Sequence, residues 1–342
     1  MPSSQPDPAM PEAEPAEKPR IVIVATGGTI AGLAAGSQGR AYRPGALSAE
    51  ALVAAVPGLA ELAELRCRAV FALDSVDLDL PRQAELAAVV AAELADPGVD
   101  GVVVTHGTDT LEESAYLLHL SLTSDKPVVV VGSMHPADAV GADGPGNLLG
   151  AVRVAADPGA SGLGTLVVVG QDVYTARGLR KVDTVRTAAF SGRHTALAEV
   201  VAGQVLWYAR PVRSRGTFAI EDLPESLPLV ELLVSRADLP TEVVAALVAG
   251  GARGIVHLGP GSGNVPAAVA AALDRARRAG VVVVRASRVA AGPVSRNGAV
   301  DDDAHDWVAA GDLSPYQARV LLALALTRTS DPRDIQRYFD TH

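Results

Sequence analysis

An α/β fold is predicted for this chain, built as two α/β domains: a larger N-terminal one with a mostly parallel sheet flanked by helices, and a smaller C-terminal one. Three observations predict it. Compact β-branched runs alternate with longer stretches of helical spacing, the rhythm of βαβ units. The 342 residues exceed what one hydrophobic core usually organises. Apolar residues make up 49% of the chain but aromatics only 4%, which suits short buried strands and tightly packed helices better than a sandwich with large aromatic anchors.

Residues 1–20 are rich in Pro, Glu, Ser and Ala and have neither the basic start nor the apolar run of a secretory signal; they read as a disordered tail. From Ile21 the strand signals are IVIVA (21–25), VFAL (70–73), GVVVT (101–105), PVVVVG (127–132) and TLVVVG (165–170). Leu86, Val89, Val90 and Leu94 recur at helical spacing behind Pro81, and Pro97-Gly98 ends that helix before the next strand. The rhythm lapses over 210–225, a stretch of Arg, Gly, Pro and acidic residues without an apolar face, and the domain boundary is placed there as a linker. The first domain then spans 21–209 and the second 226–342. In the second, VELLVS (230–235), GIVHLG (254–259) and VVVVRAS (281–287) alternate with helices near 241–250 and 264–278. Ser314-Pro315-Tyr316-Gln317 signals a capped helix start ahead of VLLALAL, and a short helix follows Asp331-Pro332.

A formal charge of −10 argues against broad attraction to nucleic acid or anionic lipid, so neither a nucleic acid nor a membrane is an expected partner. No apolar run has spanning length. The single cysteine, Cys67, rules out an intrachain disulfide and reads as a small buried hydrophobe; the default location is the cytoplasm. His106 and His135 lack metal-ligand partners at local spacing, so neither a metal nor a cofactor is expected.

Two loops carry the chemistry. The first strand runs into Ala25-Thr26-Gly27-Gly28-Thr29-Ile30-Ala31-Gly32, whose paired glycines permit a sharp turn beside a hydroxyl. On its own this segment reads as a simple loop, an anion cradle or a nucleophile loop; it is neither G-x-G-x-x-G nor a phosphate loop. Thr105-His106-Gly107-Thr108-Asp109 lies between a buried strand and a helix whose start is signalled by Thr110-x-x-Glu113. That puts it at a strand's carboxyl end, where ligands bind in open α/β sheets and free N–H groups favour a carboxylate or an oxyanion. The plainer reading is that Thr108 and Asp109 assist the helix cap.

In order and context these loops resemble the L-asparaginase family of bacteria, whose signatures ATGGTIAG and THGTDT-x-E-E-x-A-Y stand here almost unaltered. The resemblance continues through VGSMHPADAVGADGPGNL (131–148), RKVDTV (180–185), HLGPGSGN (257–264) and ASRVAAGPV (286–294), and covers nearly everything after residue 20. It implies hydrolysis of the side-chain amide of L-asparagine to aspartate and ammonia through an acyl-enzyme. Thr29 is then the nucleophile, with Tyr42 close to its hydroxyl. Thr108, Asp109 and Lys181 form an inner triad in which the lysine polarises the threonine. Ser75 binds the α-carboxylate, Gly28 and Ser133 adjoin the substrate, and Asn264 acts from a neighbouring subunit of a homodimer or homotetramer.

The pattern departs from the family at two places. Val76 stands where secreted, high-affinity members have Gln or Glu, and Ala299 stands where they lend an acid across subunits. Asp109 is left to hold the substrate ammonium, with Asp301, Asp302 and Asp303 close enough in sequence to compensate. Two alternatives follow: an amidohydrolase for an α-N-modified asparagine or a related amide, and a non-catalytic small-molecule binding protein.

Overall fold

The computed structural model describes residues 17–35, 41–193, 195–211 and 215–342. Most of the expected tail therefore lies outside the described residues, as do 212–214 of the expected linker. In chain order the strands are β1 (Arg20–Gly27), β2 (Leu33–Ala35), β3 (Ala41–Arg43), β4 (Glu64–Leu73), β5 (Gly101–Thr105), β6 (Val128–Val131), β7 (Thr165–Val169), β8 (Asp172–Thr175), β9 (Arg180–Lys181), β10 (Phe190–Ser191), β11 (Ala198–Val201), β12 (Gln204–Trp207), β13 (Val230–Val234), β14 (Gly254–Gly259), β15 (Val282–Ser287) and β16 (Val308–Ala309). The helices are α1 (Ala49–Ala54), α2 (Leu59–Leu62), α3 (Leu80–Ala95), α4 (Leu111–Ser121), α5 (Gly144–Ala155), α6 (Glu242–Ala249), α7 (Ala267–Arg278), α8 (Asp302–His305), α9 (Pro315–Ala325) and α10 (Pro332–Thr341).

The large sheet has the order β12-β11-β8-β7-β6-β5-β1-β4. Its β7-β6-β5-β1-β4 part is parallel, and β8, β11 and β12 extend it antiparallel. The apolar runs are continuous because both faces are covered. Val22, Val24, Val102 and Val104 pack against α3 and α4, whereas Ile21, Ile23 and Val103 pack against α5 and the α1–α2 segment. The small sheet, β13-β14-β15-β16, is parallel throughout. Val256 and Val284 bury one face against α9, and Ile255 and Val283 bury the other against α6, α7 and Trp307. Helix α9 also packs on α4, so the first-sheet core runs without a break into the second.

The helix starts expected at Ser314 and Asp331 are capped by those side chains, which accept from Gln317 N–H and from Arg333 and Asp334 N–H. Helix α4 differs. Thr110 occupies its N-cap position without a side-chain cap, because its hydroxyl donates instead to Ser75 O at 2.7 Å, and Glu113 pairs with Arg319 at 3.2 Å. The expected capping box is replaced by tertiary contacts. Cys67 is half-buried against the α5-side core rather than fully enclosed.

His257 on β14 is fully buried beside Arg285, and burial together with that positive charge lowers its pKa from 6.5 to about 4. The unfolded chain then takes up a proton that the folded chain refuses, so this share of stability is complete above pH 6.5 and is lost as pH falls towards 4. Urea midpoints measured at about pH 7.5 and 5 should fall less for His257→Leu than for wild type. An equal fall would show that His257 carries none of the acid sensitivity.

Candidate active site

Parallel strands β6, β5, β1 and β4 are neighbours and end at one edge of the sheet, where each releases a loop. Gly27 and Gly28 turn the chain after β1 with φ of 103° and 73°, a region that L side chains rarely occupy. Close approach also demands glycine: a Cβ on Gly28 would lie 2.3 Å from Gly107 N, and one on Gly107 would lie 2.6 Å from Ser75 Oγ. Three loops thus meet, Gly28 and Gly107 backbone to backbone and Gly107 against the Ser75 side chain. Gly28 N–H donates to Leu73 O at 2.8 Å, which ties the β1 loop to the end of β4.

Thr29 begins a 3-10 turn at this edge and is 8% exposed. Ser75 begins another after β4; its Oγ accepts from Asp109 N–H at 3.2 Å, while its carbonyl accepts from Thr110. Beyond β6, Ser133 is buried and its hydroxyl donates to His135 O at 2.8 Å. Asp143 fixes that loop by accepting from Met134 N–H (3.0 Å) and His135 N–H (2.9 Å), and Asn147 donates to Gly132 O at 2.9 Å.

The positive charge arrives from far along the chain. The β9–β10 hairpin presents Lys181 Nζ 2.8 Å from Thr108 Oγ1 and 2.6 Å from Asp109 Oδ1. Arg180, its neighbour on the strand, faces the other way, into a cavity of about 440 Å³ also lined by Ser191, Arg193, Ser287, Val289 and Asp312. The Lys181 side chain is 19% exposed and that of Asp109 is 50% exposed, so their attraction is partly screened and serves orientation more than stability.

Glu112, in the first turn of α4, accepts from Lys181 N–H at 2.9 Å. Burial raises its pKa to about 7 against the opposing pull of that N–H and of Arg180. His106 is fully buried with its Nδ1 2.7 Å from Gly107 O, and burial lowers its pKa to about 4. The buried, neutral ring is held in the loop by that contact. Among the described residues no group of three or more His, Cys, Asp or Glu is placed to hold a metal ion.

Of the expected site residues, Gly28, Thr29, Ser75, Thr108, Asp109, Ser133 and Lys181 gather at this edge. Val76, next to Ser75, is 61% exposed. The backbone of Tyr42 pairs with that of Ala34 across the β2–β3 hairpin, while the expectation for its phenol and the 36–40 segment lie outside the described residues. Asn264 is exposed on the turn after β14, its N–H donating to Pro260 O. Among the described residues no hydrogen bond joins it to the large-sheet edge. Of the three acids close enough in sequence to compensate, Asp302 is buried against Arg285, whereas Asp303 binds Arg296 and Asn297 and Asp301 caps α8, both on the surface.

Residues 20–213 match the family description "Asparaginase, N-terminal", and residues 229–339 match "Glutaminase/Asparaginase C-terminal domain". The chain is 42% identical over 332 residues to a probable periplasmic L-asparaginase of Haemophilus influenzae, covering 96% of this chain and 94% of the relative. It is 41% identical over 325 residues to a glutaminase-asparaginase of Pseudomonas fluorescens (93% and 89%) and 39% identical over 328 residues to L-asparaginase 2 of Escherichia coli (95% and 93%). The crystal structure of a probable cytoplasmic L-asparaginase from Campylobacter jejuni matches with a TM-score of 0.91 at 39% identity, over 95% of this chain and 100% of that one. Both parts of the sequence, the loops at the sheet edge and the fold that carries them thus agree: the chain belongs to the asparaginase family.

Proposed function

We propose that the chain hydrolyses the side-chain amide of L-asparagine to L-aspartate and ammonia, with Thr29 as nucleophile. The observation that carries this reading is the contact of Lys181 Nζ with Thr108 and Asp109, in a loop packed directly on the Gly28-Thr29 turn. The names of the relatives, L-asparaginase and glutaminase-asparaginase, support the substrate. Thr29 Oγ attacks the amide carbon, its proton passes to the departing nitrogen, and ammonia leaves an ester on Thr29; water then cleaves that ester and restores the hydroxyl. Tyr42 stands beside Thr29 in this scheme. Lys181 makes Thr108 a better proton acceptor, and N–H groups near Thr108 receive the oxyanion. Ser75 and Asp109 hold the α-carboxylate and α-ammonium, with Gly28 and Ser133 lining the amide.

Asn264 completes the site from a partner subunit of a dimer or tetramer, a reading supported by its exposure on the turn after β14. A fully active monomer on a sizing column would overturn this assembly. Residues 210–225 serve as the linker between the two domains, supported by the gap between the two matched regions. No helix among the described residues is long and apolar enough to cross a membrane. The cytoplasm is taken as the working location, in line with the Campylobacter jejuni structure's name, although the Haemophilus influenzae relative is named periplasmic.

Exposed Val76 favours a second reading, in which an α-N-modified asparagine or a related amide is the better substrate. Ammonia release from L-asparagine, L-glutamine and N-acetyl-asparagine decides between them. Free asparagine should be turned over fastest, with glutamine weaker because the pocket suits the shorter chain. Release from the acetylated amide alone would replace the first reading with the second, and release from none would sink both.

A further inference from the structure

We propose that Glu112 is a positioning residue of this site: its carboxylate binds the backbone of Lys181 and thereby holds the β9 strand so that the ammonium stays within reach of Thr108 and Asp109. The proposal rests on the catalytic reading above, because it acts through Lys181.

The geometry makes the dependence direct. Strand β9 has two residues and pairs with the equally short β10 in a two-stranded sheet; Val182 and Asp183 N–H extend the hairpin to Ala189 O, and Leu179, Ala189 and Phe190 anchor it in the core, which leaves the lateral placement of Lys181 to contacts with the large domain. Among the described residues, the hydrogen bonds that tie Lys181 to the Thr108–Glu112 segment are those of its side chain to Thr108 and Asp109 and the 2.9 Å bond from its N–H to Glu112 Oε2. Glu112 is itself buried: 6% exposed, in the first turn of α4, and three residues after Asp109. One helix start therefore sets both ends of the contact, with Thr108 and Asp109 entering it and Glu112 inside it.

The charged groups around Glu112 are Arg180 and Lys181 from β9, Glu113 from α4, and Arg319 of α9, which pairs with Glu113. Arg180 and the Lys181 N–H favour the ionised carboxyl, whereas burial and Glu113 oppose it, and the balance leaves the pKa at about 7. An ionised carboxylate makes a hydrogen bond roughly twice as strong as a neutral acceptor does. The hold on β9 is therefore firm above pH 7 and slackens below it. Stability runs the opposite way. The carboxyl's pKa is about 7 in the fold against an ordinary 4.5, so the folded chain keeps a proton that the unfolded chain has lost, and stability declines as pH rises from 4.5 through 7.

Glu112→Gln keeps an acceptor of the same size but not the charge. Its kcat on L-asparagine at about pH 8.5 should be roughly tenfold below wild type, with KM changed less, and the rise of kcat through about pH 7 should be absent. Its thermal midpoint at the same pH should equal or exceed that of wild type. A group that merely supports the fold would instead lower activity and stability together. Thr29→Ala, run beside it, separates the two ideas: if Thr29→Ala still turns over the amide, the catalytic reading fails first. If Thr29→Ala is silent and Glu112→Gln keeps both wild-type kcat and its inflection, the positioning role is overturned. Should the Gln variant not fold, Glu112→Asp, a methylene too short to reach Lys181 N–H, is expected to lose kcat across the whole pH range, and wild-type kcat from it would overturn the role equally.

Discussion

Thr29→Ala is expected to lower turnover of L-asparagine by on the order of 10³–10⁵ while leaving the protein folded. The substitution deletes the hydroxyl that forms the ester, and no other group on this scheme takes its place. The fold has little reason to notice. Thr29 begins a 3-10 turn without capping it, and the turn is anchored by the Gly28 N–H bond to Leu73 O and the Gly32 N–H bond to Thr29 O, both of which survive. Thr29→Ser restores a hydroxyl without the methyl that fixes its rotamer, so activity between the two is expected. Rapid-quench ammonia release, with the unfolding midpoint recorded for each variant, checks the outcome. Turnover by Thr29→Ala above about a tenth of wild type would move the nucleophile elsewhere, with Thr108 next in line.

Arg285→Met should destabilise the protein by about 3–5 kcal/mol. Arg285 and Asp302 are both fully buried and paired through Nε at 2.5 Å and Nη2 at 2.7 Å. The remaining guanidinium hydrogens reach Ser262 O (3.3 Å), Gly263 O (3.1 Å) and Ser295 O (3.1 Å). Removing the cation leaves a fully buried carboxylate with its charge unpaired, held by the Asn297 N–H at 2.8 Å, and three carbonyls short of a donor. Replacing both partners, Arg285→Met with Asp302→Leu, should recover much of the loss, since an apolar pair carries no uncompensated charge. Urea unfolding of the two variants beside wild type measures this; a single variant with an unchanged midpoint would mean that the pair contributes nothing net.

The parallel strands were readable because burial on both faces writes itself into sequence as unbroken apolar runs: GVVVT and GIVHLG coincide with β5 and β14. Strands β8, β11 and β12 were not, since each has half-exposed or exposed positions and no such run. VFAL marked only the last part of β4, whose earlier residues Glu64, Arg66 and Arg68 alternate with partly buried ones at the sheet edge. At the site, the Thr29 and Thr108 loops were legible from local composition, but Lys181 was not. RGLRKVD is an ordinary charged loop until a fold brings it 2.8 Å from a threonine 73 residues earlier. Glu112 was hidden differently: it lies within the family signature, but the capping pattern there involves Thr110 and Glu113, both of which have tertiary partners instead.

The Gly28–Gly107 contact divides the site into parts that evolution and engineers can treat differently. Side chains are excluded from its floor by backbone on both sides, so divergence there is blocked whatever the selective pressure. Variation has more room beside the floor, at solvent-facing positions such as Val76, which is 61% exposed next to Ser75. A library meant to retune this protein is best spent there, with the glycine floor held constant as the chassis.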